Sequence, residues 1–142
     1  MLQSRIDNYM LSIAHLTASM SKATRLKVGA VFARDGRPLC TGWNGVLEGS
    51  ADDSCEHIID GQLTTKPTVI HAEMNALRYM ARAGISTSGA TLYITHAPCI
   101  NCAKHLAGIG LEAVVYSHTY RSTEGVDYLN SVGITTIQLE AQ

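Results

Sequence analysis

Two short stretches hold residue types able to do chemistry together: His71-Ala72-Glu73 and Pro98-Cys99-Ile100-Asn101-Cys102. One imidazole and two thiolates are donors that borderline-soft Zn²⁺ takes, and three protein ligands leave the fourth tetrahedral position to water. That is the arrangement of a catalytic zinc; a structural one would want a fourth ligand from the chain. Zinc lowers the pKa of a bound water to about 7, so a useful share is hydroxide at neutral pH. Glu73 adds a carboxylate able to take the water's proton and pass it to a substrate, as base and then as acid. A C-x-x-C alone is often structural or redox-active, and an isolated H-x-E says little. The pair, each stretch opening a helical segment, favours the catalytic reading.

Both segments must present their first turns to one point. Helix formers dominate from Ala72 to Ala83, with Gly84 as a natural terminator, and Pro98 sits where a second helix would begin. Cys99 and Cys102, three apart, share one helical face. His71 and Glu73 would diverge in mid-helix but can both reach a site at the helix mouth. Two converging helix dipoles would favour thiolate at Cys99 and Cys102.

The remaining elements follow from periodicity. Apolar residues at Ile6, Tyr9, Met10, Ile13, Leu16 and Met20 predict an amphipathic helix from Arg5 to about Met20. A basic loop, Ser21 to Lys27, leads into a strand over Val28–Ala33; Asp35-Gly36 signals a hairpin, and Pro38–Gly42 returns as the second strand. After Gly42-Trp43-Asn44-Gly45, the stretch from Glu48 to Thr68 has no sustained period and reads as a loop, with a short helical turn near Cys55–Ile59. Further strands are expected at Ala90–Thr95, Glu112–Tyr116 and Ile134–Leu139, and a last helix at Ser122–Val132. Met74, Leu77 and Met80 form a core stripe, and Trp43 is expected to pack beside the pocket. Strands alternating with helices predict an α/β fold: three layers, α/β/α, around a mixed five-stranded sheet flanked by helices.

With 142 residues the chain suits one domain spanning 1–142. A net charge of −1 and 16% charged residues give no broad basic surface, which counts against a nucleic-acid partner. The first residues suggest neither a signal peptide nor a membrane span, and the metal spacing of two of the four cysteines fits a reducing compartment. A cytoplasmic protein is expected, in the host cytoplasm if viral.

The H-x-E and P-C-x-x-C pair resembles zinc nucleobase deaminases, and the match extends from about Ser21 to Tyr120. It takes in Lys27–Val31, Thr41-Gly42-Trp43-Asn44-Gly45, His71–Ala76, Gly89–Thr95, Pro98-Cys99, Cys102-Ala103-Lys104, Val114-Val115-Tyr116 and Tyr120. These blocks resemble the deoxycytidylate deaminase family. The resemblance implies a cytidine-deaminase-like fold, zinc on His71, Cys99 and Cys102, and hydrolysis of dCMP to dUMP and ammonia with Glu73 as the proton carrier. It further implies that Asn44 holds the deoxyribose, that Ser21, Lys22, Arg25 and Tyr120 meet the 5′-phosphate, and that the chain forms a homo-oligomer, a hexamer being favoured. A dianionic phosphate suits a guanidinium fork and an ammonium, Arg25 foremost.

Many family members bind dCTP or dTTP with Mg²⁺ at a turn continued as G-Y-N-G-x-P-x-G. Here Trp43 and Leu47 replace Tyr and Pro, and the Glu48 carboxylate would repel a triphosphate unless a metal bridged them, so Mg²⁺ is expected only if that regulation is retained. A second zinc on Cys40, Cys55 and His57 lacks a fourth ligand. His15, His96, His105 and His118 read as structural or surface residues. The alternatives are a deaminase of another cytosine or adenine substrate, including single-stranded nucleic acid, and a non-catalytic zinc module, in which Glu73 would be dispensable.

Overall fold

The computed structural model describes residues 1–140. Helix α1 (Leu2–Ala18) is followed by the hairpin β1 (Gly29–Arg34) and β2 (Arg37–Trp43), then by a second hairpin, β3 (Glu56–Ile59) and β4 (Gln62–Thr65). Next come α2 (Ala72–Ala83), β5 (Thr91–His96), α3 (Ile100–Leu106), β6 (Ala113–His118), α4 (Glu124–Ser131) and β7 (Thr135–Gln138). The main sheet has five strands in the order β2-β1-β5-β6-β7. β1 runs antiparallel to β2 and β5, whereas β5, β6 and β7 are parallel, so the sheet is mixed.

Strand alternation sorts side chains into two cores. Val31, Tyr93 and Val115 face α1, where Met10, Leu11 and Ala14 are fully or almost fully buried. Phe32, Leu92, Ile94 and Val114 point the other way, onto Met80 of α2, Leu106 of α3 and Leu129 of α4. Three layers result, as the pattern predicts. The stripe that α2 buries completely is Ala72, Ala76 and Met80, with Met74 and Leu77 half-buried. Small residues there let the helix close on β2: a Cβ on Gly42 would lie 2.5 Å from the Ala72 carbonyl oxygen and 2.6 Å from the Ala76 nitrogen. That contact brings the first turn of α2 against the end of β2.

The expected loop with a helical turn near Cys55–Ile59 is instead the β3–β4 hairpin. Its turn is Asp60-Gly61, both at positive φ (51° and 74°), which repeats the geometry of Asp35-Gly36 (55° and 71°) in the first hairpin. Both match a two-residue turn whose twist suits paired strands. The first helix stops at Ala18, and the other elements begin or end within a few residues of the predicted bounds. Among the described residues, no helix is long and apolar enough to cross a membrane.

Candidate active site

His71 is the N-cap of α2 and Cys99 the N-cap of α3, each with extended backbone (ψ 155° and 168°). A residue in that position turns its side chain toward the free N–H groups of the first turn. Cys102 follows in the first turn of α3, so the two helix mouths bring three ligand atoms within 4.8 Å of one another. His71 Nδ1 lies 3.6 Å from Cys99 Sγ and 3.2 Å from Cys102 Sγ. For Zn–N near 2.0 Å and Zn–S near 2.3 Å, a tetrahedral N···S edge is about 3.5 Å. The donor set and its spacing therefore fit zinc, with His71 exposed at the mouth and Cys102 buried at the floor.

Electrostatics separate the two thiols. A hydrogen bond from Cys102 holds Cys99 down to about 3, against the cost of burial and with help from His71. Facing that thiolate, Cys102 is pushed up, and burial pushes it further. A dication held by both sulfurs would draw the second proton off as well. His71 is raised, first by its hydrogen bond with Cys99. Glu73, 3% exposed, is pushed up to about 7, mainly by burial, so it sits near the pH at which a group both takes and gives a proton.

A cleft of about 290 Å³ opens from this centre. His71, Glu73, Cys99, Asn44 and Ile94 line it, and Arg25, Tyr120 and Arg121 also contribute. Asn44 fastens its own wall: Oδ1 accepts from the Val28 N–H (2.8 Å) and Nδ2 donates to the Leu26 carbonyl (2.8 Å). One N–H and one lone pair of the amide remain for another partner. Asn75 ties this turn to α2 by donating to the carbonyls of Trp43 (2.7 Å) and Ile70 (3.3 Å).

The expected phosphate residues are placed unequally. Arg25 lines the cleft, its Nη1 donating to Thr65 Oγ1 (3.1 Å) and its backbone N–H to Glu56 Oε2 (3.1 Å). Tyr120 also lines it. Ser21 is buried outside the lining, where its hydroxyl donates to the Asn44 carbonyl (2.8 Å). Lys22 also lies outside and pairs with Asp53 on the exposed surface.

Arg121, which the sequence reading did not single out, joins the wall with its guanidinium carbon 5.4 Å from the Tyr120 ring centroid. Its signal was only a basic residue beside Tyr120. Glu56, also unpredicted, lines the cleft while capping the Thr24 and Arg25 amides. Trp43 does not line it and stays 36% exposed. Cys40 is buried with its thiol donating to the Ala76 carbonyl, and Cys55 is a wall residue. Among the described residues, only His71, Cys99 and Cys102 gather as a metal-ligating trio.

Residues 4–118 match the cytidine and deoxycytidylate deaminase zinc-binding region. The chain is 37% identical to ComE operon protein 2 of Bacillus subtilis over 138 residues, covering 94% of this chain and 71% of that protein. It is 40% identical to the deoxycytidylate deaminase of Mycobacterium phage D29, covering 78% of this chain and 92% of the relative. Among solved structures, the dCMP deaminase of cyanophage S-TIM5 in complex with dCMP and dUMP superposes with a TM-score of 0.89 at 37% identity, over 95% of this chain and 97% of that one.

Proposed function

Because the chain belongs to the cytidine and deoxycytidylate deaminase zinc-binding family, we propose that it hydrolyses dCMP to dUMP and ammonia. One observation carries this reading. One cleft is lined by His71 and Cys99 of the metal-ligating trio, by the buried Glu73 carboxylate, and by two guanidinium groups and a tyrosine hydroxyl. A nucleoside monophosphate has matching parts, a reactive ring and a dianionic phosphate. The cyanophage relative, solved with dCMP and dUMP, supports the substrate class.

His71 Nδ1, Cys99 Sγ and Cys102 Sγ would hold a zinc ion, which when bound would supply an acidified water as nucleophile. Glu73 accepts that water's proton and delivers it to N3 of cytosine as oxygen bonds to C4. It then carries the second proton to the exocyclic amine; the C4–N bond breaks, ammonia leaves, and the C4 carbonyl forms. One water enters for each ammonia released. Burial keeps Glu73 close to neutrality in affinity, so neither transfer is steeply uphill.

In this reading the free N–H and lone pair of Asn44 meet the deoxyribose, while Arg25, Tyr120 and Arg121 take the 5′-phosphate. Ser21 acts through the Asn44 carbonyl it supports, and Lys22 joins only by leaving Asp53. We further propose one domain over 1–142, a cytoplasmic location and a homo-oligomer, the hexamer favoured by the family resemblance.

The test is ammonia release by zinc-loaded protein. dCMP should be consumed far faster than deoxycytidine, and Glu73→Ala should abolish turnover while keeping zinc. Equal rates on the two substrates would remove the phosphate from the reading. The same assay with dCTP or dTTP, with and without Mg²⁺, decides whether triphosphates regulate the enzyme.

A further inference from the structure

Three imidazoles meet where the C-terminal ends of β5 and β6 approach α1. His96 and His118 are register partners on the parallel pair, with ring centroids 5.0 Å apart, and His15 sets its ring edge-on to His118 at 5.9 Å. His96 also lines the active-site cleft, on the same strand face as Ile94. It stands three residues before Cys99, and its register partner stands just before Thr119-Tyr120-Arg121, which line the cleft as well. His96 thus shares one cleft with His71, Glu73 and Cys99 and with Arg25, Tyr120 and Arg121.

Hydrogen bonding determines which His96 nitrogen carries the proton. Thr95 is fully buried, and its Oγ1 accepts the Gly29 N–H at 3.2 Å. The other partner of that hydroxyl is His96 Nδ1, at 2.9 Å. The hydroxyl hydrogen therefore has Nδ1 as its acceptor, since a buried donor left unpaired is costly. With Nδ1 accepting, a neutral His96 bears its proton on Nε2. Burial first, and His118 and His15 after it, hold His96 below its ordinary range and favour this neutral form.

We infer that His96 is a further substrate-binding residue, whose Nε2–H donates to a 5′-phosphate oxygen of the nucleotide. The inference rests on the dCMP reading above and extends it. A neutral donor complements Arg25 and Arg121, because it adds direction to a site whose guanidinium groups already supply charge. His118 backs the ring and limits its rotation.

The test compares His96→Phe, which keeps a ring against His118 but no donor, with His96→Gln, which keeps an N–H donor. The readout is the ratio of kcat/KM for dCMP to that for deoxycytidine. Phe should lower this ratio on the order of 10–100-fold, as expected for a hydrogen bond to a charged group, and Gln should recover most of it. If the wild type prefers dCMP and the Phe variant keeps that preference, or loses equally on both substrates, His96 is only a wall and the inference fails alone. If the wild type shows no preference, the substrate reading fails and takes this inference with it.

A second readout needs no variant. In protein labelled with ¹⁵N-histidine, His96 should appear as the Nε2–H tautomer, and dUMP should shift its Nε2 resonance where deoxyuridine does not. An Nδ1–H tautomer, or equal shifts with both ligands, would overturn the assignment.

Discussion

Replacing Gly125 by alanine probes how tightly the turn at the candidate metal site is held. Gly125 lies in the first turn of α4, and a Cβ there would sit 2.0 Å from the Pro98 carbonyl oxygen and 2.9 Å from the Cys99 carbonyl carbon. Ordinary contact begins near 3.4 Å, so α4 or the Pro98-Cys99 turn must move by about 1.4 Å. Both obstacles are backbone and cannot rotate aside. Overpacking of this kind costs up to about 3 kcal/mol, and alanine returns up to about 1 kcal/mol in helix propensity. The net loss of about 2 kcal/mol corresponds to a fall in Tm of roughly 7 °C for a chain of 142 residues.

Where the strain goes decides what is lost. Zinc sites tolerate distance errors of about 0.2 Å, and misplacing a reacting group by about 1 Å costs on the order of 100-fold in rate. If Cys99 yields, zinc affinity measured by chelator competition should fall along with kcat. If α4 yields, Tm should fall while zinc stays bound. A Gly125→Ala protein matching the wild type in Tm, zinc affinity and kcat would refute the close-packing argument.

Other perturbations have definite signs. Folding raises Glu73 from about 4.5 to about 7, so its contribution to stability is complete below about pH 4.5 and is lost as pH rises through 7. In zinc-stripped protein, urea unfolding of Glu73→Gln should therefore lack a decline on the order of 3 kcal/mol that the wild type shows over that window; parallel pH curves would contradict it. Asn75→Ala removes the bonds to the Trp43 and Ile70 carbonyls. It should cost about 1 kcal/mol in a thermal melt and raise KM for dCMP more than it lowers kcat, and an unchanged KM would separate Asn75 from the substrate turn. Chelation should abolish deamination, with zinc restoring it and Mg²⁺ failing to; activity that survives complete zinc removal would exclude the proposed chemistry.

What could be read from the sequence was whatever depended on nearby residues. His71, Glu73, Cys99 and Cys102 sit at helix starts marked by composition and by Pro98, so their placement follows from two local turns. Strands β1, β2, β5 and β6 alternate or run apolar because each buries at least one face, and that burial writes the period into the sequence. The β3–β4 hairpin buries little: Ile58, Ile59 and Leu63 are 65%, 47% and 47% exposed, so no apolar face betrays it. Its Asp60-Gly61 turn was nonetheless the same signal that marked Asp35-Gly36. The cluster of His15, His96 and His118 has no local trace, because strand register and the packing of α1 bring together residues up to 103 positions apart. Arg121 enters the cleft for a similar non-local reason, since it lines the same cavity as Arg25, 96 positions earlier in the chain.

The amide of Asn44 bonds Leu26 and Val28, its carbonyl receives Ser21, and the Arg25 loop is anchored on Glu56 and Thr65. Residues joined in one such network do not contribute additively. A lineage drifting toward a different nucleotide would therefore find single changes in this wall costly and combinations permissive. Double-mutant cycles between Asn44 and Arg25 should measure that ruggedness directly, as a coupling energy larger than either position shows with a surface residue beyond the hairpin.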